Sequence, residues 1–240
     1  MMPPGLILAA GKGTRIAPLA RDLPKPLLQV GGRSLLAWHL RWLGAMGVRE
    51  VWINLHHGAD RVREAIGDGH EHGVVVRYSY EPVLLGTAGA WRKLSAELGG
   101  SSLVIYGDNL MRFDLRRLCG EHRRSGATAT AAVFDPGRHA HTGIAGGRTR
   151  IEGGHIVEFV EGGAAGNEPI NAGAYVLEPV VASGIAEGFQ DFGHDVLPAL
   201  ARDRQLRAYV IEEAGFCLGL DTPERFAEAQ RLVAAGRVAP

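Results

Sequence analysis

Cysteine is scarce in this 240-residue chain, which has only Cys119 and Cys217. Two thiols build neither a disulfide scaffold nor a cysteine-rich zinc module, and a reducing, cytoplasmic setting is expected. Long apolar runs are also missing. The apolar start has no basic segment before it, and Lys12 interrupts it at once, so it is too short to act as an export signal. No other stretch approaches the ~20 apolar residues that span a bilayer. Net charge is absent as well, because 26 Lys and Arg balance 26 Asp and Glu. A balanced chain has no global field to draw it onto nucleic acid or an anionic membrane, so neither partner is expected. Any polyanion it binds has to be met by local charge.

Glycine, by contrast, is abundant at 34 residues, which implies many tight turns or close backbone approaches to a ligand. Between them the sequence alternates strand and helix. Short apolar runs at 5–9, 50–54, 74–78, 103–106 and 127–134 read as strands. Helical spacing fits 34–46 (Leu35, Leu36, His39, Leu40, Leu43, with Ser34 as N-cap), 59–66, 87–98 and 115–124. This alternation predicts an α/β fold with a doubly wound, mostly parallel, Rossmann-like sheet. After Pro136 the pattern shifts to strands at 149–151, 155–160 and 170–177, helices at 179–187 and 193–201, a strand at 206–211 and a helix at 223–235. No linker or internal repeat interrupts the chain. It reads as a single domain, 1–240, with a smaller second lobe grown from the same sheet.

The most informative segment is Leu8-Ala9-Ala10-Gly11-Lys12-Gly13-Thr14-Arg15, directly after the first strand. Small residues let backbone N–H groups approach phosphate oxygens, and Lys12 and Arg15 supply charge. It is not a Walker loop. It is also a poor dinucleotide fingerprint, because Ile16 stands where the third glycine belongs.

With Pro18-Leu19 and Pro24-Lys25-Pro26-Leu27, this loop resembles the signature of the sugar-1-phosphate nucleotidyltransferases. The chain is most similar to the short mannose-1-phosphate and D-glycero-D-manno-heptose-1-phosphate guanylyltransferases. The resemblance continues in Glu81-Pro82-Val83-Leu84-Leu85-Gly86-Thr87-Ala88-Gly89, in Gly107-Asp108-Asn109 and in Asn171-Ala172-Gly173-Ala174-Tyr175. It implies the nucleotide-diphospho-sugar transferase fold, with a nucleotide half at about 1–135 and a sugar half at about 136–240.

The resemblance also implies a reaction. A sugar 1-phosphate attacks the α-phosphorus of a nucleoside triphosphate, GTP by preference, and pyrophosphate leaves. Both substrates are polyanions, so catalysis is positioning and charge neutralisation without a protein nucleophile. In this scheme Arg15 reaches the triphosphate. Lys25 lies between the two phosphates, its backbone held extended by the flanking prolines. The nucleotide contacts are Leu8, Ala9, Ala10, Gly11, Lys12, Gly13, Thr14, Glu81, Gly86, Thr87 and Ala88. The sugar contacts are Gly107, Glu161, Asn171 and Gly173. Mg²⁺ is the implied cofactor, held by Asp108 and Asp221.

Two departures stand out. Lining up Thr222-Pro223-Glu224 with the family's Asp-x-Gly-Thr-Pro-Glu puts Gly219 at the aspartate, so Asp221 takes the metal role by an Asp-Thr arrangement known in some cytidylyltransferases. An N-cap on the following helix is the alternative for Asp221, as a turn cap is for Asp108. The family's Glu-Lys-Pro is here Glu161-Gly162, which leaves the sugar phosphate one cation short unless Arg148 or His194 replaces it.

Among the ten histidines, the pairs His56-His57, His70 with His72 and His139 with His141 have no third and fourth ligand at a standard zinc spacing and read as solvated loop residues. Arg116, Arg117, His122, Arg123 and Arg124 read as a solvated helix face. Other functions stay open: a cytidylyl- or uridylyltransferase of the same family, a nucleotide-sugar sensor without turnover, or a nicotinamide-dependent oxidoreductase. The last lacks an acidic ribose ligand, since the second strand ends in Asn54-Leu55-His56. Oligomeric state is not encoded in any motif, and a homo-oligomer is compatible with the sequence.

Overall fold

The computed structural model describes residues 1–11, 13–16, 23–143, 146–162 and 168–239. Strand β1 (Gly5–Leu8) is buried along its whole length, as an unbroken apolar run demands of a central parallel strand. The hairpin β2 (Gln29–Val30) and β3 (Arg33–Ser34) turns at Gly31 and Gly32, both at positive φ. It leads into α1 (Leu35–Met46), where the Ser34 hydroxyl accepts from the Ala37 N–H at 3.2 Å and Gly47 closes the far end in the left-handed region. The alternation continues through β4 (Glu50–Leu55), α2 (Ala59–Ile66), β5 (Val75–Tyr80), α3 (Gly86–Leu98) and β6 (Ser102–Tyr106). Strands β6, β1, β4 and β5 are mutually parallel neighbours.

The second half follows as β7 (Asn109–Arg112), α4 (Leu115–Ser125), β8 (Ala129–Phe134), β9 (Ala140–His141), β10 (Arg148–Glu152), β11 (His155–Val160), β12 (Ile170–Leu177), α5 (Leu197–Arg202), β13 (Leu206–Val210), β14 (Phe216–Gly219) and α6 (Pro223–Ala234). Among the described residues, nine strands form one sheet in the order β10-β11-β13-β8-β12-β6-β1-β4-β5. Here the parallel expectation holds only for the first half and for β8–β13. Strand β12 runs antiparallel to both β6 and β8, and β10–β11 is an antiparallel hairpin. The reason is connection length: Gly153 and Gly154, both at positive φ, join β10 to β11 directly, whereas a parallel pair needs a long crossover. Because β12 lies between β6 and β8, the two halves share one sheet.

Two expected helices are shorter than the sequence predicts. Residues 179–184 form a 3₁₀ turn, and residues 192–196 form a π turn that leads into α5. Both regions are broken by glycines, at 184, 188 and 193. Strands β7 and β14 were not evident in the sequence, being only four residues each. They pair antiparallel, with β9 on the far side of β14. The basic face of α4 is solvated except at His122, which is buried. It bonds the Thr130 hydroxyl at 2.8 Å and Glu178 at 2.9 Å, so it ties α4 to the sheet. No helix of the described residues is long and apolar enough to cross a membrane.

Candidate active site

A cleft of about 340 Å³ opens at the carboxyl ends of β1, β4 and β6, where ligands of open α/β sheets bind. Its lining brings together Leu8, Ala9, Ala10, Gly11, Gly13, Arg15 and Lys25 from the glycine-rich wall, Glu81 from the loop before α3, Gly86 and Thr87 from the first turn of α3, and Asp108 and Asp221. Lys12 lies outside the described residues. At Gly11 an added Cβ would meet nothing within 4 Å, so its backbone faces open space. Gly13 has φ +60°, and a Cβ there would stand 3.0 Å from the Lys25 Cβ. The loop therefore passes close over Lys25. Thr14 opens a single 3₁₀ turn, residues 14–16, with the Ile16 N–H on the Gly13 carbonyl at 3.1 Å.

Lys25 is 8% exposed and holds both aspartates. Its Nζ donates to Asp221 Oδ1 at 2.7 Å and to Asp108 Oδ2 at 3.2 Å. The extended backbone expected between the two prolines is not found. Pro24 is extended (φ −53°, ψ 135°), but Lys25–Leu27 is a 3₁₀ turn closed by Leu27 N–H on Pro24 O at 2.8 Å. Burial of Leu27 and Leu28, together with the two ion pairs, outweighs the pre-proline bias against helical backbone.

The register of β7 on β14 explains why the aspartates meet. Gly219 pairs with Asn109, so the residue before β7 and the residues after β14 converge at one end of the ladder. Thr222, not Asp221, caps α6, its hydroxyl accepting from the Arg225 N–H at 3.4 Å. Asp221 is thereby left for the cleft. Arg15 lies 3.5 Å from its Oδ1, and Arg225, a residue without a signal in the sequence reading, lies 3.8 Å from its Oδ2.

Beneath Asp108 lies His39, on the buried face of α1. Its Nε2 lies 2.7 Å from the Asn109 carbonyl, and burial pushes its pKa down to about 4. The neighbouring partner is a carbonyl, so Nε2 carries the proton and donates. Between pH 6.5 and about 4 the unfolded chain binds a proton at this residue that the folded chain refuses. Stability from His39 is thus present above pH 6.5 and lost as the pH falls towards 4, at about 1.4 kcal/mol per pH unit. Urea unfolding at pH 7 and pH 4.5 should show this extra loss in the native chain. It should be missing in His39→Gln.

At the other end of the cleft Asn54 is the residue that organises the wall. Its Oδ1 accepts from Ala9 N–H at 2.7 Å, and its Nδ2 donates to Glu81 Oε1 at 2.8 Å. Glu81 Oε2 accepts from Leu85 N–H at 3.1 Å, and His56 Nδ1 bonds the Glu81 carbonyl at 2.7 Å. A polar side chain inside the apolar run 51–55 of β4 was the available signal. Asn54→Ala strands a buried N–H and a buried carboxylate oxygen, so it should cost about 1–3 kcal/mol. Thermal melts check the loss.

The remaining residues from the sequence reading lie behind this surface. The Ala88 N–H is taken by the Gln190 carbonyl at 2.9 Å, and Gly107 packs on β1 with its N–H on Leu8 O at 2.9 Å. Asn171 donates to the Tyr175 hydroxyl at 2.6 Å and accepts from Gly173 N–H at 3.1 Å. Gly173, at φ +77°, packs against the Tyr106 ring. Tyr106, Phe189 and Asp191 line the cleft there instead. Glu161 lies against Gly193, and burial first, then Asp191, raises its pKa. His139 is not a solvated histidine. It is 4% exposed, and its Nδ1 accepts the Asp135 N–H at 3.0 Å.

Both cysteines are buried, and burial pushes the thiols up, Cys119 to about 11, so neither offers a thiolate nucleophile at neutral pH. Among the described residues no cluster of three or more His, Cys, Asp or Glu could hold a metal. Asp108 and Asp221 are two hard oxygen donors that already share one cation, the Lys25 ammonium. That set suits Mg²⁺, which takes one or two carboxylates and completes its shell with phosphates and water.

The sequence profile described as nucleotidyl transferase matches residues 4–233. The chain belongs to the nucleotidyl transferase family. It is 30% identical to mannose-1-phosphate guanylyltransferase of Mycobacterium tuberculosis over 92% of its own length and 62% of the relative's. It is also 30% identical to UTP–glucose-1-phosphate uridylyltransferase of Synechocystis sp. over 86% of its length and 57% of that protein's. The chain thus spans about three fifths of the length of those relatives. Its fold matches that of HddC from Yersinia pseudotuberculosis, with a TM-score of 0.81 at 23% identity, covering 97% of this chain and 100% of that one.

Proposed function

We propose that this chain transfers a nucleoside monophosphate from a nucleoside triphosphate to a sugar 1-phosphate, in the cytoplasm, as one catalytic unit with a nucleotide half and a sugar half. A phosphate oxygen of the sugar phosphate bonds to the α-phosphorus, the bond from that phosphorus to the β-bridging oxygen breaks, and pyrophosphate leaves. The observation that carries this reading is the buried Lys25 ammonium held between Asp108 and Asp221 beneath a glycine-rich loop. A cation so held is aimed before substrate arrives, which is what neutralising charge in the transition state requires.

Backbone N–H groups of residues 11–15 and the Arg15 guanidinium take the triphosphate. Lys25 steadies the charge that builds on the reacting phosphates, and Arg15 the charge on the leaving pyrophosphate. Asp108 and Asp221 are the residues that would hold Mg²⁺. That ion neutralises phosphate oxygens as a Lewis acid when bound. Lys25 then exchanges its carboxylate partners for phosphate.

GTP is the preferred donor in this proposal. Glu81 is an acceptor-only group when ionised, with oxygens that can each accept more than one bond. Guanine presents adjacent N–H and NH₂ donors on one edge, so a carboxylate at the base end favours it and leaves a base without such donors unpaired. Uridylyl transfer is the second reading, favoured by the Synechocystis relative. The test is kcat/KM for GTP, CTP, UTP and ATP with one accepted sugar phosphate. GTP should lead by tenfold or more. A tenfold preference for CTP or UTP, about 1.4 kcal/mol of discrimination, overturns the guanylyl assignment and leaves nucleotidyl transfer standing.

A further inference from the structure

Asp221 holds two of its cations on one oxygen and the third on the other. Lys25 Nζ and Arg15 Nη2 both meet Oδ1, at 2.7 and 3.5 Å, whereas Arg225 Nη1 stands 3.8 Å from Oδ2. Among the described residues no other cation pairs with this carboxylate. In the proposed reaction Lys25 and Arg15 turn to phosphates, which releases Oδ1. That reaction gives Arg225 no phosphate, so it stays on Oδ2.

A cation has no helical reason to be at this position. Arg225 is the third residue of α6, after Pro223 and Glu224. The positive end of the helix dipole lies there, which favours Glu224 and disfavours a guanidinium. The Arg225 backbone N–H completes the Thr222 cap, and any residue but proline supplies that bond. The side chain has a different partner: it runs back one turn to Asp221.

The helix that carries Arg225 is firmly seated. Ala229 is buried with Val30, Leu35, Leu218 and Leu220. Gln230 Oε1 accepts from Gly31 N–H at 3.1 Å, and its Nε2 donates to Gln29 O at 2.9 Å. A Cβ at Gly31 would stand 2.8 Å from Val233, so the β2–β3 hairpin lies hard against α6. That hairpin follows directly on the Lys25 turn. One helix therefore supports both Lys25 and Asp221. The Arg15 side chain, by contrast, is 68% exposed on a single 3₁₀ turn.

A carboxylate that ligates a metal keeps its direction through a partner on its outer side, and losing that partner costs about 10–100-fold in metal affinity. We propose that Arg225 is a positioning residue, which holds Oδ2 so that Oδ1 is presented to the place between Asp108 and Asp221 where Mg²⁺ would bind. This rests on the nucleotidyl-transfer reading and deepens it. A guanidinium that merely repelled the metal would act with the opposite sign, and its removal would tighten metal binding.

Water-proton relaxation detects Mn²⁺ that tumbles with the protein. It is measured on the native chain, Arg225→Ala, Arg225→Lys and Asp221→Asn, with Mn²⁺ alone and with GDP or UDP present. Pyrophosphate release is followed across a Mg²⁺ series, and melting curves check folding. The Mn²⁺ dissociation constant should rise about tenfold in Arg225→Ala, and Arg225→Lys should recover most of that loss. The Mg²⁺ concentration for half-maximal release should rise with it, while kcat at saturating Mg²⁺ moves far less. Unchanged or tighter Mn²⁺ binding by Arg225→Ala overturns the proposal, as does a change confined to the melting temperature. Equal Mn²⁺ binding by the native chain and Asp221→Asn removes Asp221 from the metal site and overturns it too. Pyrophosphate release by the native chain tests the transfer reading separately.

Discussion

Lys25→Ala should lower kcat/KM by about 10³-fold, whereas Lys12→Ala should lower it by about tenfold or less. Lys25 is buried and fixed by two carboxylates, at 2.7 and 3.2 Å, under the backbone of Gly13. In the proposed reaction its charge is aimed at the reacting phosphates at no cost of reorganisation, whereas the task proposed for Lys12 is shared with backbone N–H groups of the loop. The fold should survive the loss of Lys25, because Asp221 keeps Arg15 and Arg225 at 3.5 and 3.8 Å and the Asp108 side chain is 43% exposed. Steady-state kinetics of both variants, with melting curves beside them, give the comparison. Equal losses, or a larger one at Lys12, would count against the arrangement.

Asp108→Asn should abolish Mg²⁺-dependent transfer, with a loss of about 10³-fold or more even at saturating Mg²⁺. Asparagine keeps the shape and the turn that follows β6 but removes the charge a hard cation requires. Asn109 remains fixed by His39, and Lys25 remains paired with Asp221. The loss should therefore be one of activity without a matching loss of stability. Near-normal turnover of Asp108→Asn with Mg²⁺ would remove Asp108 from the metal site.

The parallel half of the fold and the cation-bearing end of the cleft were legible because their signals are local. An apolar run followed by Gly11-Lys12-Gly13 reads as a strand and a glycine-rich turn, and Pro24-Lys25-Pro26-Leu27 close behind it is what adds the functional reading. Asp108 follows a strand of the same kind. The pairing of Asp108 with Asp221 was not legible from spacing. It depends on the register of two four-residue strands, β7 and β14, that lie far apart in sequence. Lys25, singled out by its neighbours, lines the cleft, yet its backbone turns where two prolines argue for extension, because burial decided the outcome. The far wall of the cleft was the least legible. Gly173 packs against the Tyr106 ring and Asn171 bonds the Tyr175 hydroxyl, while Asp191 and Phe189, on a segment broken by glycines, line the cleft. Asn54 was noticed only as the absence of an acid. A polar residue 3% exposed in an apolar strand needs a partner, and it has two.

The measurement that bears most directly on the proposed reaction is pyrophosphate release, coupled to a chromogenic readout, with each nucleoside triphosphate crossed against a panel of sugar 1-phosphates. One pair, with GTP as donor, should release pyrophosphate in one-to-one proportion to a nucleotide-diphospho-sugar identified by mass. Omitting the sugar phosphate or chelating Mg²⁺ should stop the release. Pyrophosphate release that is indifferent to sugar phosphate, or no release from any pair by a folded protein, would contradict it.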